Sequence, residues 1–368
     1  MATVTSRGSR PSRPDPAPRA SATPPRRARA VPLLAPALAV ASRRAGSAAA
    51  LALVCALAPA PSAVRAQAPG DVAPMSITLE TLPYPYPVHF LPLTLYGEDV
   101  RLAFMDVPPT GPANGRAVVL LHGANFFGEY WAGTIEALAA EGYRVVVPDQ
   151  IGFGRSSKPL IPYNFHDMAA NTRRLLEALG IERAAIVGHS MGGMLGTRFA
   201  FSYPEATTHL VLVNQIGLTD ARIQRPWRDT EAVYRGVLDQ SWEGALRTIR
   251  RYFVEWKPEY EKYARVHYGW TLSGDWPRFA RVRARVFQMI YADPVVYERP
   301  HVKAPTLVIG GEEDGPRFPE LARAVADAIP DSELVLIENV GHNPHLESPE
   351  VFRRHLLRFL ATAGADPG

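Results

Sequence analysis

The 368-residue chain has almost no cysteine. Its single one, Cys55, lies in an N-terminal stretch that reads as a leader. A chain starting near residue 69 therefore has no disulfide, no cysteine-ligated zinc and no thiol nucleophile. An excess of positive charge is also missing outside that stretch. The sequence holds 40 basic and 36 acidic residues, of which residues 1–68 take ten Arg and one Asp. The remainder carries 30 basic and 35 acidic residues. The basic pI thus belongs to the leader, and nothing in the remaining domain argues for nucleic-acid binding. Internal repeats and metal-ligand spacings are absent, so neither a metal nor a cofactor is expected.

Residues 1–45 are rich in Arg, Ala, Pro and Ser. An apolar run follows from Ala48 to Ala60, then Ala66-Gln67-Ala68. A positive segment, a short apolar segment and a small-x-small site together form a signal-peptide pattern. The run is shorter than the roughly 18–20 residues that span a bilayer, so stable membrane insertion is not expected. Residues 1–68 are read as a signal peptide and 69–368 as an exported domain, periplasmic or secreted. The alternative is a disordered tail on a cytoplasmic enzyme.

Prolines alternating with Tyr, Val and Phe from Leu82 to Pro92 impose extended backbone. Val88–Tyr96 and Val100–Val107 read as two strands joined through Gly97-Glu98-Asp99. Short apolar strands then alternate with helices. Strands are expected at Ala117–Leu121, Arg144–Val147, Ala184–Val187, His209–Val213, Thr306–Ile309 and Glu333–Ile337. Helices are expected at 130–141, Asp167–Leu179, Met191–Ser202, Pro319–Ala328 and Pro349–Leu360. Such strands signify a mostly parallel sheet covered on both faces, an α/β doubly wound architecture.

Residues 217–300 break the alternation. They hold 15 aromatic residues in 84 positions and five of the six Trp. They read as helices only, and an all-helical insertion between two strands is most simply a cap over the strand ends, where ligands bind in such sheets. Most of its aromatics pack the cap itself; a minority line a pocket.

The sharpest signal is Gly188-His189-Ser190-Met191-Gly192-Gly193, between a strand and a helix. A sharp strand-to-helix turn lifts a serine hydroxyl above the sheet, and it needs small residues at 188 and 192. Ser190 is therefore the candidate nucleophile. Serine needs a base, and His342, in Val340-Gly341-His342-Asn343-Pro344, follows the strand Glu333–Ile337. His345 is its competitor. The base needs an acid to fix its tautomer. Asp314, after Gly310-Gly311-Glu312-Glu313, is the choice, with Glu312 and Glu313 as alternatives. Oxyanion donors are expected at the backbone N–H of Met191 and at Ala124 in the His122-Gly123-Ala124-Asn125 loop. His122 suits a buried role holding that loop.

These motifs, with Pro148-Asp149-Gln150-Ile151-Gly152-Phe153-Gly154-Arg155-Ser156, closely resemble the α/β-hydrolase superfamily in its capped branch, over about residues 88–362. The resemblance implies an eight-stranded sheet whose second strand is antiparallel and a cap after the sixth strand. The family's serine, acid and histidine fall on Ser190, Asp314 and His342. Relatives that open epoxides or remove halides carry aspartate at the nucleophile position, which Ser190 argues against. Relatives that cleave carbon–carbon bonds, and haloperoxidase-like members, keep the serine. Prolyl iminopeptidases usually show Trp where this chain has Met191.

The expected function is hydrolysis of a small apolar or aromatic ester through an acyl-enzyme. Carbon–carbon or amide hydrolysis by the same triad, and ligand binding without catalysis, are the alternatives. Nothing in the pattern specifies an oligomeric state.

Overall fold

The computed structural model describes residues 70–364, so the expected leader lies outside the described residues. The strands are β1 (Val88–Leu95), β2 (Glu98–Val107), β3 (Ala117–Leu121), β4 (Arg144–Asp149), β5 (Ala184–His189), β6 (Thr207–Val213), β7 (Thr306–Gly311) and β8 (Ser332–Ile337). They form one sheet in the order β1-β2-β4-β3-β5-β6-β7-β8. β2 is antiparallel to both neighbours and all other pairings are parallel. This is the α/β-hydrolase architecture that the motifs imply.

The helices are α1 (Ala132–Ala140), α2 (Phe165–Ala178), α3 (Met191–Ser202), α4 (Ala221–Gln224), α5 (Thr230–Leu238), α6 (Trp242–Arg250), α7 (Glu261–Thr271), α8 (Trp276–Ala292), α9 (Phe318–Asp327), α10 (Pro344–Glu347) and α11 (Pro349–Leu360). Successive strand residues point to opposite faces, and both faces are covered, which is why each central strand carries an unbroken apolar run. Val119 and Leu121 of β3 join Ile186, Leu210 and Val308 in one core, packed by α2, α3 and α9. Val118 and Leu120 join Val187, Val211 and Ile309 in the other, packed by α1 and α11.

The hairpin between β1 and β2 differs from expectation. Leu95 pairs directly with Glu98, so the turn is the two residues Tyr96-Gly97. Both have positive φ, 53° and 79°, the geometry whose twist matches paired strands. Tyrosine rarely adopts that conformation, so the sequence, which places the turn at Gly97-Glu98-Asp99, gives no sign that Tyr96 takes part in it. Pro92 sits in β1, at the sheet edge, where its missing N–H breaks no interior ladder.

Helices α4 to α8 fill the interval between β6 and β7. Tyr234, Trp270, Trp276 and Phe279 form a cluster of their own, joined by Ile77 and Leu79 from the segment before β1. Met75 N–H donates to Gly269 O at 2.9 Å. That segment has no sequence signature, yet it fastens the cap. On the opposite side, Arg198 of α3 reaches Asp293 at 2.9 Å and Glu298 at 2.6 Å, just beyond α8.

Asp149, at the end of β4, is buried. Its carboxylate accepts from Tyr84 Oη at 2.7 Å, Gly128 N at 2.7 Å and Arg155 N at 2.8 Å. It thus ties three loops to one strand end. Asp149→Ala would leave three donors without an acceptor, at a cost of about 3–5 kcal/mol. Urea unfolding checks this: the midpoint should fall sharply, and an unchanged midpoint would contradict the role.

Candidate active site

The parallel strands all end at one edge, so loops far apart in sequence meet there. The turn after β5 carries Ser190, with φ 57° and ψ −117°. A serine held there is strained by about 1–3 kcal/mol. Neighbouring backbone over-determines it: Ser190 N–H donates to Val213 O at 2.9 Å, and Ser190 O accepts from Gly193 N at 3.0 Å and Ile216 N at 3.2 Å. A Cβ at Gly188 would collide with the Gly192 carbonyl, and one at Gly192 with the Leu121 carbonyl. The two glycines are therefore steric requirements of the turn.

His342 follows β8 and Asp314 follows β7. His342 Nδ1 lies 2.8 and 2.9 Å from the two Asp314 carboxylate oxygens. A carboxylate only accepts, so Nδ1 carries the proton and Nε2 is left as the basic nitrogen. Ser190, Ala124, Asp314 and His342 all line one cavity of about 720 Å³. The Ser190 hydroxyl makes no hydrogen bond among the described residues; in unliganded sites a nucleophile–base contact commonly tightens only on binding. Met191 N–H is the first of α3 and has no acceptor within the helix. Ala124 N–H also has no acceptor among the described residues. Glu312 and Glu313 do not line the cavity. His345 is buried, stacked on Trp131 at a centroid distance of 4.3 Å. His122 is buried and accepts Gln150 N–H at 3.0 Å through Nε2, which fastens the loop.

Several contacts that carry the geometry had no sequence signal. Asn214, just after β6, has φ 38° and is fully buried. Its Nδ2 donates to Asp314 at 2.9 Å and its Oδ1 accepts from Gly311 N at 3.0 Å, which fixes the carboxylate. His189 links three loops. Gly123 N–H donates to Tyr130 Oη at 3.0 Å, Tyr130 Oη lies 2.9 Å from His189 Nδ1, and His189 Nε2 lies 2.8 Å from His342 O. The carbonyl accepts, so Nε2 carries the proton and Nδ1 accepts from Tyr130.

The cap takes part directly. Tyr252 stacks on the His342 ring at 4.8 Å, and its carbonyl accepts His342 N–H at 2.9 Å. Tyr252 Oη accepts from Asn125 Nδ2 at 2.7 Å. Arg283 Nη2 donates to Asn125 Oδ1 at 2.8 Å, and His267 Nε2 lies 2.9 Å from Asn125 O. The loop that holds Ala124 is thus anchored by α7, α8 and the segment after α6. Among the described residues no group of three or more His, Cys, Asp or Glu could hold a metal ion.

A sequence model of the α/β-hydrolase fold matches residues 116–349. This chain belongs to the α/β-hydrolase family. The hydrolase is 30% identical over 259 residues to a candidate carbamate hydrolase, RutD, of Variovorax paradoxus, covering 70% of this chain and 96% of that protein. It is 30% identical over 246 residues to Lipase 1 of Psychrobacter immobilis, covering 65% of this chain and 74% of the lipase. Among solved structures it resembles a probable hydrolytic enzyme from Pseudomonas aeruginosa PAO1. That match has a TM-score of 0.76 and 39% identity, and it covers 79% of this chain and 99% of that one. The hydrolase is an enzyme, which removes the purely ligand-binding alternative.

Around the site, burial keeps four histidines of the hydrolase neutral. It lowers His122, holds His189 well below its ordinary value, and pushes His267 and His345 down to about 3. Their folded-state values lie below the unfolded one, so the unfolded chain binds more protons as pH falls below about 6.5. Stability is fully present above that pH and is lost below it. Each histidine that protonates only on unfolding adds about 1.4 kcal/mol per pH unit to the slope of that loss. Urea unfolding across pH 4–7 is expected to show the midpoint dropping with acid, and a flat profile would contradict neutral burial.

Proposed function

We propose that this protein is a serine esterase whose triad is Ser190, His342 and Asp314. The observation that carries the reading is the His342–Asp314 contact in the cavity that also holds Ser190, with Nε2 left free. Ser190 Oγ attacks the ester carbonyl while His342 Nε2 takes its proton. The N–H groups of Met191 and Ala124 receive the oxyanion. His342 returns the proton to the departing alcohol, then takes one from the water that attacks the acyl-enzyme and passes it to the leaving Ser190 Oγ, which restores the hydroxyl. Asp314, held by Asn214, keeps the imidazole in one tautomer. The name of the lipase relative supports an ester as the bond cleaved. The carbamate-hydrolase relative favours a second reading, an acyl–nitrogen bond cleaved by the same residues.

Ser190→Ala should lower kcat on p-nitrophenyl butyrate by about a thousandfold or more, with thermal unfolding unchanged. A fluorophosphonate probe should label the native protein and not the variant. Near-normal turnover by the variant would reject the nucleophile. An arylamide and a carbamate assayed beside the ester separate the two bond types.

Export is part of the same proposal. The charged segment, the apolar run and Ala66-Gln67-Ala68 support removal of residues 1–68. Protein recovered from the periplasm or medium should have a new N-terminus near residue 69. An intact N-terminus on cytoplasmic protein would overturn this.

A further inference from the structure

The cavity around Ser190 is lined by apolar side chains such as Ile216, Leu218, Phe287 and Ile290, and also by three arginines, Arg225, Arg251 and Arg317. The arginines come from separate places: Arg225 follows α4, Arg251 follows α6 and Arg317 precedes α9. Asp314 is the one acidic residue in the lining among the described residues, and it is matched by His342 and Asn214. Nearby acids have partners too. Asp220 pairs with Arg222 at 2.8 Å and Glu320 with Arg317 at 3.0 Å. Neither Arg225 nor Arg251 has an ion-pair partner among the described residues.

Arg251 is also held in place. Its Nη2 donates to Tyr252 Oη at 3.3 Å, and its guanidinium lies 5.2 Å over the Tyr252 ring. That ring stacks on His342 at 4.8 Å. One exposed cation at the rim thus lies a single ring away from the proposed base. A concave site with apolar walls focuses the field of such charges. A neutral ester gains nothing from that field, while an anionic one is drawn in. The planar guanidinium fork matches the oxygens of a carboxylate or phosphate.

We infer that this site selects esters whose apolar body carries a carboxylate or phosphate, with Arg225 and Arg251 receiving the anion. The inference rests on the hydrolase reading of Ser190 and deepens it by naming a substrate class.

The test compares mono-p-nitrophenyl adipate with p-nitrophenyl hexanoate, which match in chain length and differ in one terminal carboxylate. Both are used as soluble monomers, so a preference belongs to the cavity and not to a lipid surface. The wild type should favour the adipate in kcat/KM by about fivefold or more at low salt, through KM. The ratio should fall towards one in Arg225→Gln/Arg251→Gln and stay largely intact in Arg225→Lys/Arg251→Lys. In the unmutated protein it should fall likewise at about 0.5 M NaCl, where screening shortens the reach of the charges. A preference for the hexanoate, or a ratio that survives the glutamine changes, would overturn the anion site. If neither ester is turned over, the esterase reading fails while the anion site stays testable. Calorimetry then compares hexyl phosphate with hexanol on the folded protein. Tighter binding of the phosphate, weakened by the glutamine changes, supports the site, and equal binding rejects it.

Discussion

The site depends on a backbone conformation that serine does not choose freely. At φ 57°, Ser190 stays in place only because its N–H and carbonyl are both taken by neighbouring strand and helix ends. The sheet supplies those partners: Val213 closes β6 beside it, and α3 begins one residue later. The strain is stored in the turn and balanced by the two cores that clamp β5 between its neighbours. Everything else at the strand ends is arranged around that fixed hydroxyl.

Two kinds of link carry this arrangement outward. One is the buried chain Gly123–Tyr130–His189–His342, which joins the loop of Ala124, the turn of Ser190 and the loop of His342 through single protons with defined owners. It works because His189 is neutral, and it is neutral because it is buried. The other link is Tyr252, a cap residue that touches both the His342 ring and Asn125. The cap is therefore part of the wall of the site and part of its scaffolding.

Much of the fold could be read from the sequence because each central strand is buried on both faces, which forces short unbroken apolar runs. α3 and α11 were legible to the residue, because a turn glycine or a proline marks their starts. Ser190 was legible because its turn tolerates only small flanking residues. His342 and Asp314 were legible because parallel strands end at a common edge. Other features left no trace. Tyr96 takes a left-handed turn position that tyrosine rarely occupies. Asn214, Tyr252 and Asn125 meet their partners across many tens of residues, through tertiary packing that no local period encodes. The attachment of Ile77 and Leu79 to the cap is of the same kind.

The double hold of Tyr252 on His342 has a kinetic side. A cap that swung away as a rigid lid would pull on the His342 backbone and uncover its ring. Traffic in and out is better served by the mouth of the cavity, where α4 and the residues before α9 present exposed side chains. Side-chain motion at the rim is faster than cap rearrangement and leaves the Tyr252–His342 contact intact.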